Sequence, residues 1–431
     1  MVPHLITALT GPINELEQRV LESLPAIERW FRLEWMEHTP PFYTSVDLRN
    51  AGFKLAPVDT DLYPGGFGNL TPEMLPLAVQ AAMAAIEKIC PEAKNLLLIP
   101  QGHTRDPHYL TSLQRLTQIF HRAGLNVRLG SLDETLKDPV PLALPDGGEL
   151  VLEPLLRTRR RLGLKGFDPC TILVNNDLSA GVPKVLTGLH EQYLLPPLHA
   201  GWAVRRKTRH FQAYEEVAKK FGKLLGMDPW LINPLFARCG KANFSGGSGA
   251  ESLMSGADVL LGKIRRKYKE YGIQEKPFLV LKADSGTYGR GVVTVRDPSA
   301  LADLNRGKLE AMGILQDGQE ACELMLQEGV PTNERIDGAV AEPVVYMVDR
   351  YVVGGFYRVH AERGIDENLN APGAGFVPLA FADANQLPRH GAKPGASAPN
   401  RFYMYGVIAR LAMVAASYEL EATDPDAEIY E

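Results

Sequence analysis

The chain has 431 residues, 45% of them hydrophobic and 23% charged, which is enough to bury a large core in two or three packed units. Its 46 Lys and Arg residues against 51 Asp and Glu residues give a net charge of -5, which argues against nucleic acid as a partner. The four cysteines lie far apart, so the sequence indicates no CxxC metal or redox site and no disulfide framework. Because the N-terminus lacks a signal-peptide pattern and no long apolar run occurs, we expect a cytoplasmic protein with no membrane partner.

The first half of the chain alternates helix and strand patterns. Apolar residues at intervals of three and four predict an amphipathic helix over residues 12–35, with Pro12 in its first turn. Residues 95–130 have the order strand, helix, strand, which is typical of a β-α-β unit and predicts a parallel sheet. A further strand is predicted in TILVNND, residues 171–177.

The pattern changes twice further along the chain. Helices predicted over 212–226 and 256–273 make the middle mostly helical. From residue 276 the chain is β-rich, with strands predicted in FLVLKAD, GVVTV, ELMLQEG, EPVVYMV and YVVGGFYRV, and a final helix in YMYGVIARLAMVAASYELEA. The predicted fold class is therefore α/β, becoming α+β in the C-terminal part.

A glycine-rich stretch follows a strand lysine in FLVLKADSGTYGRGVVTV, residues 278–295. It is not a P-loop, because no Gly-Lys pair in the chain is followed by Ser or Thr, and it is not a kinase loop, because HRD and DFG do not occur. The order of strand, lysine and glycines suits a β-hairpin flap. In such a flap the lysine contacts nucleotide phosphates, and the backbone N–H groups of the glycine stretch close over those phosphates. A plain hairpin with glycine in its turn fits the same stretch. The flap hypothesis assigns nucleotide binding to Lys282, Ser285, Gly286, Gly289 and Gly291.

The segments after this stretch extend the nucleotide hypothesis. LMLQEG places Gln327 and Glu328 at a strand end, where a hinge would receive adenine and ribose. GGFYRV then places Arg358 on a strand, and DENLNAPGAG follows with several oxygen-bearing side chains. Oxygen ligands of this kind suit Mg²⁺ bound with a nucleoside triphosphate, so the predicted metal ligands are Glu367, Asn368 and Asn370.

The segment SVDLRNAGFKLAPVDTDLYPGGFGNL, residues 45–70, carries both signs of charge between short strands and turns. This composition is typical of a solvated loop, but a zwitterionic amino acid also needs a cation and a carboxylate in one pocket. Polar residues follow two strand ends of the predicted parallel sheet, which is a usual place for ligand contacts. The substrate-binding candidates are Asp47, Arg49, Lys54, Asp59, Asn69, Thr104, Arg105, Tyr109 and Asn176.

The segment GWAVRRKTRHF, residues 201–211, is strongly basic. It fits an exposed basic loop, and it fits equally a set of cations around a triphosphate and an acyl phosphate. Under the second interpretation, Arg205 and Lys207 join Lys282 and Arg358 as the candidate catalytic cations.

The ordered segments LKADSGTYGRGVV, LQEG and FYRVHAERGIDENLNAPGAG resemble the ATP-grasp ligases of the glutathione-synthetase branch. One departure is that the last forty residues lack the acidic strand ending in E-x-N that usually supplies metal ligands in that branch. The resemblance extends to the proteobacterial glutamate-cysteine ligase family over nearly the whole chain. It includes the three segments above and also VDLRNAGFKLAPVDTDLYPGGFGNL, HTRDPHY, VNNDLS and GWAVRRKTRHF.

This resemblance implies an ATP-grasp-like fold with three parts. These are an N-terminal α/β substrate-binding domain with a parallel sheet (1–200), a mostly helical middle (201–275) and an ATP-grasp nucleotide-binding and catalytic domain (276–431). It also implies Lys241 as a second nucleotide lysine. The implied reaction uses ATP and Mg²⁺ to join L-glutamate, through γ-glutamyl phosphate, to L-cysteine, which is the first step of glutathione biosynthesis.

The residues by themselves reach only an ATP-dependent carboxylate ligase that acts on an amino acid. Two alternatives therefore stay open at this point. One is another ATP-grasp amino-acid or dipeptide ligase, such as glutathione synthetase. The other is a nucleotide-binding sensor without turnover. The expected partners are small-molecule substrates, and a homo-oligomer is compatible with the sequence.

Overall fold

The computed structural model describes residues 5–6, 12–102, 106–242, 248–286, 292–302, 307, 322–379 and 402–427. Its architecture is mixed α/β. The helices are α1 (Pro12–Glu22), α2 (Leu24–Glu37), α3 (Leu75–Ile89), α4 (Pro107–Arg122), α5 (Lys207–Leu225), α6 (Ser248–Glu270) and α7 (Phe402–Thr423). The strands of the first half are β1 (Leu5–Ile6), β2 (Tyr43–Asn50), β3 (Leu55–Asp61), β4 (Asn95–Pro100), β5 (Asn126–Ser131), β6 (Val140–Ala143), β7 (Glu149–Pro154), β8 (Leu156–Arg157), β9 (Leu162–Gly163), β10 (Thr171–Asn175) and β11 (Tyr193–Leu195). The later strands are β12 (Phe236–Ala242), β13 (Leu279–Ala283), β14 (Val293–Val295), β15 (Cys322–Glu328), β16 (Arg335–Ile336), β17 (Ala339–Val348), β18 (Tyr351–His360) and β19 (Gly375–Pro378).

The helix predicted over residues 12–35 is two helices, α1 and α2, which meet at Ser23. Pro25 lies in the first turn of α2, and a proline there cannot donate a backbone hydrogen bond to the preceding turn. Ser23 still donates its N–H to Arg19 O at 3.1 Å, so the chain bends at this point without losing the contact. The apolar periodicity was therefore correct for both helices, and the proline explains the break between them.

The predicted parallel sheet is confirmed. Its six strands have the order β11-β10-β4-β5-β7-β6, and every neighbouring pair is parallel except β6 with β7. Leu96 and Leu98 of β4 belong to the same core cluster as buried residues of α3 and α4. Leu97 and Ile99 belong to a cluster on the other face. Burial of both faces explains why β4 has a continuous apolar sequence.

A seven-stranded antiparallel sheet joins the two halves of the chain. β17 pairs with β18 along one side, and with β2 and β16 along the other. β3 extends the sheet beyond β2, and β19 extends it beyond β18. Residues 45–70 therefore contain two full strands where the sequence predicted short strands and turns, because β17 supplies a partner that is distant in the sequence. The division into domains 1–200, 201–275 and 276–431 stays a prediction.

A smaller antiparallel sheet has the order β12-β15-β13-β14, and α6 packs against it. The strands predicted in FLVLKAD, GVVTV and ELMLQEG are confirmed as β13, β14 and β15. The middle of the chain contains helices α5 and α6, as predicted, but it also supplies β12 to this sheet. The β12 sequence FARCGKA has little alternation and includes a glycine, so its strand character depends on pairing with β15.

Helix α7 is buried along nearly its whole length. Its apolar residues pack with α1, α2, α5 and the central sheet in one core cluster. This burial accounts for its largely apolar sequence, which has no clear polar face. None of the helices within the described ranges is long and apolar enough to cross a membrane.

Truncation of Leu411, which lies in α7 and is 0% exposed, should destabilise the protein. We expect Leu411→Ala to lower the free energy of unfolding by about 2–5 kcal/mol, because the lost contacts leave a cavity that the helix cannot close. Urea unfolding followed by circular dichroism measures this change. The matched control is Leu33→Ala in α2, where the side chain is 48% exposed and the change should be well under half as large. Equal effects at both positions would contradict the packing of α7.

Candidate functional site

Asp47, Glu342 and Arg358 lie together on three neighbouring strands. The sheet register places Glu342 of β17 opposite Arg358 of β18, and places Asp47 of β2 beside Val344 of β17. Arg358 Nη1 donates to Asp47 Oδ2 at 2.7 Å and to Glu342 Oε1 at 2.6 Å. Glu342 and Arg358 are buried, and Asp47 is half-buried. Strands from both ends of the chain therefore build one ionic cluster.

Arg49 adds a second guanidinium to this cluster from β2. Its Nε donates to Glu342 Oε2 at 2.8 Å, and its Nη2 donates to the backbone oxygen of Glu367 at 2.6 Å. Glu342 therefore bridges two arginines. We refer to Asp47, Arg49, Glu342 and Arg358 as the acid-arginine cluster. Its two positive and two negative charges balance, which is what stabilises ionised groups away from water.

The two carboxylates of this cluster have different proton affinities. Burial raises the pKa of Asp47 above its ordinary value; the charge of Arg358 opposes this rise, and the charge of Glu342 adds to it. Burial acts on Glu342 in the same direction, but Arg49 and Arg358 outweigh it and hold the pKa of Glu342 below its ordinary value. Asp47 is therefore the less firmly ionised carboxylate, and it is also the one with more exposure.

Lys282 extends from the small sheet toward the central sheet. Its Nζ donates to Val58 O at 2.7 Å and to Gln327 Oε1 at 2.8 Å. Burial lowers the pKa of Lys282 to about 8, although the nearby charge of Asp59 opposes this effect. Within the described residues, Gln327 Nε2 is buried without a hydrogen-bond partner. Lys282 is thus a buried cation whose two hydrogen-bond acceptors are both neutral.

Lys207 and Asp59 form an ion pair beside Lys282. Lys207 Nζ lies 2.8 Å from Asp59 Oδ1 and 4.5 Å from the ring centroid of Trp202. Burial would raise the pKa of Asp59, but the charges of Lys207 and Lys282 outweigh it and hold that pKa below its ordinary value. Asp59 therefore stays ionised between two lysines that come from different parts of the fold.

Arg205 is held in a buried ion pair by the C-terminal helix. Its Nε and Nη2 donate to the two carboxylate oxygens of Glu419 at 2.9 and 3.1 Å, and its Nη1 donates to Thr60 O at 2.7 Å. Glu419 Oε2 also lies 3.1 Å from His210 Nδ1. Because this bidentate pair is buried on both sides, its geometry favours anchoring of α7. A catalytic role for Arg205 stays a prediction.

Lys54 and Glu328 also face each other in the interior. Lys54 Nζ lies 2.7 Å from Glu328 Oε2 and 4.1 Å from the ring centroid of Trp230. Trp230 Nε1 and Leu235 N donate to the same carboxylate at 3.1 and 2.9 Å. Burial lowers the pKa of Lys54 to about 8, with Glu328 opposing the change. The carboxylate is saturated by protein donors, so these contacts favour a structural role, and the predicted substrate and nucleotide roles stay predictions.

Several predicted substrate residues lie near the carboxyl end of β10. Tyr109 Oη donates to Asn175 O at 3.1 Å and accepts from Gln101 N at 2.7 Å. Asn176 Oδ1 accepts from Leu178 N at 3.0 Å, which fixes the turn after the strand. Asn69 is half-buried in a short turn after β3. The predicted residues Thr104 and Arg105 lie outside the described residues.

The predicted glycine flap is described in part. Ser285 is exposed, and Gly286 has a φ of 108°, a conformation that favours glycine. Gly289 and Gly291 lie outside the described residues. Lys241 lies on β12 opposite Glu323 of β15, and its side chain is likewise outside the described part of the chain.

The three predicted metal ligands lie close together after β18, and two of them accept local backbone hydrogen bonds. Glu367 Oε2 accepts from Gly364 N at 2.7 Å, and Asn368 Oδ1 accepts from Asn370 N at 3.0 Å. In the described part of the chain no group of three or more His, Cys, Asp or Glu side chains could hold a metal ion. Two of the three predicted ligands are asparagines, which that set of side chains does not include, so the metal assignment stays a prediction.

Sequence reasoning missed two residues that organise the site, Glu342 and Glu419. Each is an acidic residue in a largely apolar element, namely EPVVYMV and the sequence of α7. A charged residue in a buried strand or helix needs a partner, so this pattern was a usable signal. The identity of the partners, Arg358 and Arg205, was not available from the sequence.

Comparisons with known proteins place the chain among ligases. Residues 17–420 match the protein family described as GshA, glutamate-cysteine ligase. The chain is similar to a candidate gamma-glutamylcysteine synthetase of known crystal structure from Methylobacillus flagellatus KT, with 55% identity and a TM-score of 0.90 over 98% of this chain and 100% of that one. A search among curated proteins gave no match.

Two other solved structures are much less similar. A glutathione synthetase-like effector from Globodera pallida has 10% identity and a TM-score of 0.34, over 84% of this chain and 78% of that one. D-alanyl-alanine synthetase A from Vibrio cholerae has 12% identity and a TM-score of 0.31, over 66% of this chain and 73% of that one. Scores at this level do not establish a shared fold.

Removal of the Lys54 charge should have its main effect on the stability of the fold and not on ligand binding. We expect Lys54→Met to lower the free energy of unfolding by about 3–5 kcal/mol, because it leaves Glu328 buried and without its countercharge. The matched control is Lys219→Met, which breaks an exposed ion pair with Glu215 and should cost at most about 0.5 kcal/mol. Chemical denaturation measures both. A Lys54→Met protein with unchanged stability but weakened glutamate binding would instead support the predicted substrate-binding role.

Proposed function

Because the chain belongs to the glutamate-cysteine ligase family, we propose that it joins L-glutamate to L-cysteine in an ATP-dependent reaction. The family match covers residues 17–420, and the similar protein of known structure is covered from end to end. The products are γ-glutamylcysteine, ADP and phosphate. As a ligase of this kind, the protein acts on small molecules.

The proposed reaction has two steps. An oxygen of the glutamate γ-carboxylate attacks the γ-phosphorus of ATP, and ADP leaves, which gives γ-glutamyl phosphate. The amine nitrogen of cysteine then attacks the acyl carbon, phosphate leaves, and the nitrogen loses a proton. Both steps gather negative charge on phosphoryl oxygens, so the protein must supply fixed cations and must keep water from the acyl phosphate.

The observation that carries the nucleotide half of this proposal is the environment of Lys282. A buried ammonium normally faces a carboxylate, but here both direct acceptors, Val58 O and Gln327 Oε1, are uncharged. The carboxylate with the largest electrostatic effect on Lys282, Asp59, is already bound by Lys207. A phosphate group would supply the missing negative charge. We assign Lys282 to the ATP phosphates, and its position beside the described start of the glycine flap supports this assignment.

The acid-arginine cluster suits an amino-acid substrate. It presents a guanidinium, Arg358, and a half-buried carboxylate, Asp47, at 2.7 Å from each other. A zwitterion offers the opposite pair of charges, so its carboxylate and ammonium could exchange with this ion pair without leaving a charge unpaired. Arg358 Nε is buried without a hydrogen-bond partner among the described residues, which leaves one donor available. We assign this cluster to glutamate.

Within the mixed α/β architecture, we propose that the fold is ATP-grasp-like. Three features support it: the antiparallel sheet β12-β15-β13-β14, the strand lysine Lys282 on β13, and Gln327 at the end of the adjacent strand β15. Mg²⁺ would accompany ATP in such an enzyme. Because the assignment of Glu367, Asn368 and Asn370 as its ligands stays a prediction, no step of the proposed mechanism depends on them.

The proposal is tested by phosphate release from MgATP with purified protein. We expect release that requires glutamate and cysteine together, with γ-glutamylcysteine identified by mass spectrometry. Glutamate alone, cysteine alone, and γ-glutamylcysteine with glycine are the comparison reactions. Release with the last pair alone would favour a glutathione synthetase. ATP binding without release in any reaction would favour a sensor.

Replacement of Lys282 should abolish most of the turnover while leaving the fold intact. We expect Lys282→Ala to lower kcat/KM for ATP by about 100-fold or more, because the phosphates lose a preorganised cation. The matched control is Lys276→Ala, an exposed lysine shortly before β13, which should keep full activity. Steady-state kinetics and circular dichroism are measured on both variants. A folded Lys282→Ala protein with normal kinetics would refute the assignment.

The pH dependence of ATP use should follow the proton of Lys282. Its pKa is lowered to about 8 by burial, so the free protein loses the ammonium charge as the pH rises through this value. We expect kcat/KM for ATP to fall about tenfold per pH unit above 8, and Lys282→Arg to remove this fall because arginine stays charged.

The titration of Lys282 does not itself destabilise the folded protein in this pH range. The unfolded chain binds more protons than the folded chain between pH 8 and the ordinary lysine pKa of about 10.4. The contribution of Lys282 to stability therefore rises with pH across that interval. A fall of the same size in Lys282→Arg would show that another group controls the pH dependence.

A further inference from the structure

Cys90 and Cys170 are 80 residues apart in the sequence but adjacent in the fold. Their sulfur atoms lie 2.8 Å apart, and both residues are half-buried free cysteines. Non-bonded sulfur atoms this close have no room for an intervening atom, whereas a disulfide bond would bring them to about 2.05 Å. Two of the widely spaced cysteines are therefore brought together by the fold.

The backbone around both thiols is fixed by the parallel sheet. Cys90 follows α3 and donates its N–H to Ile86 O at 2.8 Å, and Cys170 immediately precedes β10. The strands that follow them, β4 and β10, are paired in parallel with Leu96 beside Thr171. A second contact, from Asn95 Nδ2 to Asp168 O at 3.1 Å, holds the same two segments together. The adjacency of the thiols is therefore a consequence of strand pairing.

This pair lies at the end of the sheet away from the candidate site. The cysteines lie at the amino ends of β4 and β10, whereas Tyr109 contacts Asn175 at the carboxyl end of β10. Cys239 differs in its surroundings, because its sulfur lies 3.8 Å from the carbonyl oxygen of Ala237 in its own strand. A bond between Cys90 and Cys170 would tie α3 to β10 without entering the site.

We propose that Cys90 and Cys170 are an oxidative modification site, at which the two thiols exchange with a small-molecule disulfide to form an intramolecular disulfide that stabilises the fold and leaves activity intact. This inference does not rest on the proposed function.

The exchange is balanced in atoms and electrons. The Cys170 thiolate attacks one sulfur of the small disulfide, and one small thiol leaves. Cys90 then loses its proton to water and attacks the Cys170 sulfur, which releases the second small thiol. Two protein thiols are thereby oxidised and one small disulfide is reduced. Burial, together with the hydrogen bond to Cys170, raises the pKa of the Cys90 thiol to about 11, which makes Cys90 the resolving thiol.

The test treats the full-length protein with bis(2-hydroxyethyl) disulfide and follows its intact mass, its peptide map without reduction, and its Tm. We expect loss of two hydrogen atoms, a peptide that links residues 90 and 170, and a rise in Tm of roughly 5 °C that dithiothreitol reverses. Phosphate release or nucleotide binding should stay within about twofold of the untreated protein.

Variants separate this site from other thiol chemistry. Cys90→Ser should trap one small thiol as a mixed disulfide on Cys170, and its Tm should not rise. Cys239→Ser should behave as the parent protein. Thiols that stay free after treatment, a link through Cys239 or Cys322, or a loss of activity that Cys90→Ser prevents would each overturn the proposal.

Discussion

Antiparallel pairing between β2 and β17 is the interaction on which the candidate site depends. It brings together Asp47 and Arg358, which are 311 positions apart in the sequence, on the two sides of Glu342. β3 then follows β2 into the same sheet, and Val58 O of β3 accepts from Lys282 of the small sheet. Without this pairing, the acid-arginine cluster would not form, and Lys282 would not lie against the same sheet.

The buried charges around this sheet are balanced in different ways. Arg205 forms an ion pair with Glu419, and Lys54 forms one with Glu328. In the acid-arginine cluster, both arginines contact Glu342, and Arg358 also contacts Asp47. Each of these pairs offsets the cost of removing charge from water, so each has a structural reason to exist. Lys282 is different, because its acceptors are neutral oxygens. This contrast is why we propose Lys282, rather than Lys54 or Arg205, for the phosphates of ATP.

Much of the architecture was predictable because its signals are local. In the β-α-β unit of residues 95–130, apolar residues recur with a period of 3.6 in a helix between two apolar strands. The strand, the lysine and the first glycine around Lys282 follow one another within a few residues. The strand character of β12 and the full lengths of β2 and β3 were not predictable in this way. Their sequences are polar or interrupted, and they become strands because they pair with β15 and β17, which are remote in the chain.

The sequence by itself determined which residue types are available: a strand lysine, a glycine turn, an arginine strand and a segment with both signs of charge. Only the tertiary structure decided how these charges are paired, because partner choice depends on distance and burial between remote segments. It assigned Lys54 and Arg205 to interior ion pairs with Glu328 and Glu419, and it left Lys282 with neutral acceptors. Local periodicity specifies secondary structure, but the pairing of buried charges is a property of the packed chain.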